Sequence, residues 1–167
     1  MKTKFLITSV LLSFLLLACG GKEEKKKDGF SVDRQKTTEK TETTPAQSDI
    51  PPSQQVTLDE KGVGQIKEIT LDPVIDQEMA ARGEALFKSN CMACHKLDRR
   101  FIGPSPQGIM ERRSPEWIMN MILDPALMVA EDRCAKDLLI EFNGAAMSNQ
   151  NLTVEEVRSI LEFYRTL

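Results

Sequence analysis

The sequence predicts an all-α domain of about four helices behind a polar N-terminal stretch. Three observations carry this. No stretch alternates apolar and polar residues over more than a few positions, so a half-buried strand has no support. Four stretches between residues 76 and 164 carry apolar side chains at helical spacing, with start or stop residues at their ends. The chain is only 41% hydrophobic and 5% aromatic over 167 residues, thin for a core of that length. Part of it therefore lies outside the fold, or something other than side chains completes the core.

The N-terminal stretch divides in two. Residues 1–18 read as a signal peptide: Lys2 and Lys4 precede an apolar run of fourteen residues, 5–18. A membrane span needs about 20 residues, so the run fits an export signal instead. Its end, Leu16-Leu17-Ala18-Cys19-Gly20, resembles a bacterial lipobox, which implies that Cys19 becomes a lipidated N-terminus. The competing reading is an ordinary cleaved signal that ends near a Cys. Residues 19–58 then read as a lipid anchor and disordered linker. The stretch 20–58 has seven Lys/Arg against seven Asp/Glu and few apolar residues. It cannot bury enough surface to offset its ordering entropy. As a flexible tether it would span roughly 35 Å, and about 130 Å fully extended. Both readings place the chain outside the cytoplasm, on the periplasmic or exterior face of a bacterial membrane.

The domain is residues 59–167. Its first helix runs over 76–90, with Met79, Leu86 and Phe87 on one side. Ser114-Pro115-Glu116 starts a second, with proline at the first helical position; Trp117, Ile118, Met121 and Ile122 form its stripe, and Asp124-Pro125 stops it. A third over 132–143 gathers Leu138, Leu139 and Phe142. Thr153 and Glu156 make a capping box for the last, which aligns Val157, Ile160, Leu161 and Tyr164. Long loops at 96–113 and 143–152 suit wrapping around something.

Charge and histidine content exclude several functions. A net charge of -3 leaves no basic surplus for nucleic acid, and a single His excludes a His-rich metal cage. That one His sits in Cys91-Met92-Ala93-Cys94-His95, or C-x-x-C-H, the attachment signature of c-type haem. From this composition the motif would arise by chance roughly 6 times in 10,000. Two thiols at that spacing reach two vinyl groups from one side of a helical turn, and the next imidazole can ligate the iron. Three readings compete with haem. A redox C-x-x-C would need a βαβ setting. A zinc site would recruit Cys91, Cys94, His95 and Cys134. A Cys91–Cys94 disulfide would leave the long loops unexplained.

With these residues in place, the domain resembles a small mono-haem bacterial cytochrome c of the class I, His/Met-ligated type. The match covers about residues 76–167: Gly83 and Phe87 before C-x-x-C-H, Gly103-Pro104 after it, and a Met in the loop before the last helix. The resemblance implies a cytochrome c fold around one covalent haem c. It implies that the outer helices cross at Gly83 and that Phe87 packs on an aromatic such as Tyr164. It also implies that the Pro104 carbonyl accepts a hydrogen bond from His95 Nδ1, fixing the ring. Pro106 stands where the family usually has Leu, and Ser148 where it often has Pro.

The sixth ligand is sought among the methionines Met110, Met119, Met121, Met128 and Met147. Most are expected to be core filler. Met147 is favoured as the distal iron ligand, because small residues flank it in 144–149 and it lies 52 residues after His95; Met128 is second. A His/Met-saturated iron leaves outer-sphere electron transfer as its chemistry. No second cluster suggests catalysis, so an electron-transfer protein is expected, not an enzyme, with neither nucleic acid nor a small-molecule substrate as partner. Its partners would be redox proteins: a respiratory complex as donor and a terminal oxidase or reductase as acceptor. The run 147–167 resembles small cytochromes associated with anaerobic reductases, nitrous oxide reduction among them. The alternatives are a haem sensor with an open iron position and a zinc-stabilised surface lipoprotein. Residues 88–113 carry six basic and two acidic residues, a local excess that would steer the domain to an acidic partner. Cys134 is left over as a spare thiol, expected to be a small buried hydrophobe.

Overall fold

The computed structural model describes residues 49–167. The predicted signal peptide, Cys19 and most of the predicted linker lie outside them. Five α-helices form: α1 Gln77–Asn90, α2 Pro115–Leu123, α3 Pro125–Glu131, α4 Arg133–Glu141 and α5 Val154–Tyr164. Single 3₁₀ turns stand at Pro52–Gln54 and Ile109–Glu111. Among the described residues the only extended pairing is an isolated parallel bridge between Thr57 and Arg113. No helix among them is long and apolar enough to cross a membrane.

Each helix starts on a side-chain cap. Asp76, Ser114, Asp124, Asp132 and Thr153 accept from the amides of Met79, Trp117, Leu127, Ala135 and Glu156. Thr153 and Glu156 complete the predicted capping box. The helix count differs from expectation by one. Asp124-Pro125 reads as a stop, and it is one, but Asp124 also caps α3 and Pro125 occupies its first position. One dipeptide closes a helix and opens the next.

The frame is the crossing of α1 on α5. A Cβ built on Gly83 would lie 1.9 Å from the Ser159 carbonyl oxygen, so only glycine permits this approach. Phe87 then meets Phe163 and Tyr164 at ring-centre distances of 5.7 and 6.0 Å, the second edge-on. Edge-to-face pairs of this kind are worth about 0.5–1.5 kcal/mol beyond the area they bury. Ile118, Met119 and Ile122 of α2 join Val157, Ile160 and Leu161 in the core. At the other end of the crossing Glu162, 1% exposed, accepts from the Asp76 amide, Arg158 and Arg165. Burial alone would raise its carboxyl, but these three donors hold it below the usual range.

The expected tether ends before residue 58. Ser53 donates through its amide and its hydroxyl to the Glu141 carboxylate, both at 2.7 Å. The Thr57 amide donates to the Arg112 carbonyl at 2.8 Å. Residues 51–57 thus form a strap held on the domain by polar contacts, which hydropathy does not reveal. The chain then packs Val63, Ile66, Ile69 and Leu71 against the core. Asn120 binds the backbone of Lys61 and Ile66 there.

Candidate functional site

The end of α1, the loop after it, α2, α4 and the loop before α5 enclose one cleft. Cys91, Cys94, His95, Pro104 and Met147 all line it. Cys91 is the C-terminal cap of α1, its amide donating to the Phe87 carbonyl at 2.9 Å. A tight turn follows, with the amides of Cys94 and His95 both donating to the Cys91 carbonyl. Both thiols are free, Cys91 buried and Cys94 exposed. Burial, and then the neighbouring Cys94, push the Cys91 thiol up to about 11.

His95 is fixed from two sides. Its Nδ1 lies 2.8 Å from the Pro104 carbonyl oxygen, which orients the ring and leaves Nε2 for another partner. Gly103 flanks the ring so closely that a Cβ there would lie 2.5 Å from Cε1. The Gly103 amide donates to the Cys94 carbonyl at 2.9 Å, closing the loop back onto the motif. The remaining wall is mostly apolar: Ile109, Trp117, Ile118, Met121, Leu138 and Phe142 belong to it. Met147 stands in a loop bounded by Asn143 at φ 56° and Asn151 at φ 55°.

The residues singled out from sequence do not all meet. Met128 is fully buried, and its Sδ accepts from the Val63 amide at 3.1 Å. It lies outside the cleft lining and is occupied by the core, so the second choice for distal ligand is dropped. Cys134 is also elsewhere, its Sγ 3.1 Å from Glu60 Oε2. Burial, then the hydrogen bond to Glu60, push that thiol up to about 11. It is buried, as expected of a small hydrophobe, but it is not a member of any zinc arrangement with the motif cysteines. Among the described residues no group of His, Cys, Asp or Glu is placed to hold a metal ion by itself.

Residues 80–167 match the family model for cytochrome c. The chain belongs to the cytochrome c family. A cytochrome c from Rhodothermus marinus is 41% identical, covering 62% of this chain and 88% of that one, with a TM-score of 0.60. An engineered form of it, bound to a carbene intermediate, is 40% identical over similar shares, with a TM-score of 0.57. A cytochrome c-553-like protein of Synechocystis is 34% identical over 33% of this chain and 58% of its own length. A cytochrome c2 of Rhodopseudomonas palustris is 46% identical over 21% and 30%. The chain thus spans little more than half of these curated relatives, or less.

Cytochromes c carry covalently bound haem c, and one such group suits a domain of this size. The cleft suits it on its own geometry. Its lining combines two free thiols, an oriented imidazole and the Met147 thioether with mostly apolar side chains. Gly103 keeps side-chain atoms away from the imidazole face, which a cradle for a planar ring requires. The cleft also takes in Arg112 and Arg113, which the sequence marks only as part of a basic excess, and Ser53, which the sequence places in the tether.

Proposed function

We propose that this chain is a membrane-tethered mono-haem cytochrome c that passes single electrons between a respiratory donor and a terminal oxidase or reductase. Nitrous oxide reductase or another anaerobic reductase is the proposed acceptor class, on the resemblance of residues 147–167. The observation that carries the reading is the convergence of Cys91, Cys94, His95 and Met147 on one acid-free, mostly apolar cleft. Cys91 and Cys94 would form the two thioethers. His95, held by Pro104, would be the proximal ligand through Nε2, and Met147 the distal one. When bound, the haem supplies a reversible one-electron change at iron. His95 and Met147 would both ligate the iron and the mostly apolar lining would limit water beside it, which would favour outer-sphere transfer and a raised potential. Export and lipidation at Cys19 would place the domain next to membrane-bound partners.

A redox titration with absorption spectra tests this on protein made in cells that attach haem. One reversible one-electron transition is expected, and no fast carbon monoxide binding to the reduced form. Rapid, tight binding would favour a haem sensor, and a colourless product would favour the zinc-stabilised lipoprotein. Mass spectrometry of the mature N-terminus tests Cys19; a start downstream of it would overturn the anchor.

A further inference from the structure

The segment that carries His95 and the segment that carries Met147 meet at one arginine. Arg100 stands in the loop that runs from His95 to Pro104. Its Nη1 donates to Glu141 Oε1 at 2.7 Å and its Nη2 to the Glu141 carbonyl at 2.5 Å. Its guanidinium lies 4.0 Å from the ring centre of Phe142, close enough for a cation–π contact. Glu141 is the last residue of α4 and Phe142 its C-terminal cap. The Met147 loop begins at the next residue, Asn143.

That loop is held at its ends rather than along its length. All of 143–149 is exposed except Met147, which is half-buried. At its start the amides of Gly144 and Ala145 donate to the carbonyls of Leu139 and Phe142, at 2.8 and 3.1 Å. Farther on, the Asn149 amide group donates to the Leu123 carbonyl at 3.1 Å. A loop with so few buried contacts opens at low cost, so the position of the α4 end governs where Met147 lies. That end is fixed from two directions. Arg100 ties it to the loop after the motif, and Ser53 donates to the same carboxylate through its amide and its hydroxyl, both at 2.7 Å. The local pairs of Lys88 with Glu84 and Arg99 with Asp98 are exposed on both sides, whereas this pair joins segments 41 residues apart and its carboxylate side chain is only 11% exposed. Charge-assisted hydrogen bonds so shielded are stronger than those in open solvent.

We infer that Arg100 is a positioning residue that latches the Met147 loop: by holding Glu141 and Phe142 against the loop after the motif, it keeps the Met147 thioether in place as the distal ligand. The inference rests on the haem reading above and on Met147 as its ligand. An external ligand such as imidazole can bind the iron only where the thioether has left. The exchange breaks an iron–sulfur bond and forms an iron–nitrogen bond, with no change of oxidation state. The apparent affinity for imidazole is then the intrinsic affinity scaled by the fraction of molecules with the loop open, and weakening the latch raises that fraction.

The test titrates imidazole into the oxidised, full-length holoprotein and follows loss of the near-infrared sulfur-to-iron band. Arg100→Gln is expected to bind imidazole roughly tenfold more tightly than the parent, through a larger open fraction. Glu141→Gln, which keeps the shape and removes the charge, is expected to gain less, and to add little in the Arg100→Gln background. In the Met147→Ala background, where no thioether competes, Arg100→Gln is expected to change nothing. An unchanged affinity in Arg100→Gln overturns the latch. A gain that persists in full in the Met147→Ala background also overturns it, because the cleft would then have loosened without regard to the loop. Should Arg100→Gln fail to accumulate, an unchanged affinity in Glu141→Gln overturns the latch. A parent protein without haem, or a Met147→Ala variant that keeps the band, overturns the reading of the site itself, and either is seen before Arg100 is changed.

Discussion

At the scale of single residues, the cleft is built from backbone placements that each allow one side chain. Pro104 offers a carbonyl with no competing amide of its own, and Gly103 clears the space the imidazole needs. Met147 is the test of the loop before α5, which also lines the cleft. Met147→Ala should abolish the weak near-infrared sulfur-to-iron band and open the reduced form to carbon monoxide. If the band survives, Met121, the other methionine lining the cleft, becomes the candidate. Glu162 supplies a second residue-level prediction. Its folded pKa lies below the ordinary 4.5. Its contribution to stability is therefore fully present above about pH 4.5 and is lost as pH falls through the lowered value. Melting temperatures should drop in acid, and Glu162→Gln should be less stable at neutral pH with a flatter acid limb. Equal acid slopes in the two proteins would show that other carboxylates dominate. The motif residues were legible in the sequence because their chemistry depends on spacing within five positions. Arg113 was not, because nothing local distinguishes a buried arginine from a solvated one.

At the scale of elements, the α1–α5 crossing has no room for adjustment. Gly83→Ala would gain helix propensity of about 1 kcal/mol. Against this stands a Cβ placed 1.9 Å from a carbonyl oxygen of α5. Overpacking of this kind costs about 1–3 kcal/mol and sometimes more, and a backbone obstacle cannot rotate away. A net loss of stability is expected in chemical denaturation. An Ala variant as stable as the parent would mean the helices can separate without cost. Four of the five helices were legible from caps and apolar spacing. The fifth, α3, was hidden because a stop and a start share Asp124-Pro125. The strap was hidden for a different reason: its hold depends on Glu141, 88 residues away in sequence, and on carbonyls, which are the same at every residue.

At the scale of the whole molecule, the structure redistributes the charge counted in the sequence. The six basic residues of 88–113 suggested a steering patch, but most are already engaged. Lys88 pairs with Glu84, Arg99 with Asp98 and Arg100 with Glu141, and Arg113 is buried. Arg112 is part-buried on carbonyls. Of the six, half-buried Lys96 has no acidic partner among the described residues and is not held on several carbonyls as Arg112 is, and its ammonium sits 5.0 Å from the ring centre of Phe101. Phe101, Ile102 and Met92 beside it are exposed apolar side chains, 51%, 48% and 38% accessible. Paired surface charges contribute weak, short-range fields that salt screens within about 10 Å at 0.1 M. Encounter at this face should therefore depend on apolar contact more than on long-range attraction. The rate of oxidation by a small anionic oxidant should fall only shallowly with ionic strength, with a slope matching about one free cation. Lys96→Gln should flatten it further. A steep slope, matching the full excess of four positive charges in residues 88–113, would restore steering as the way this domain finds its partner.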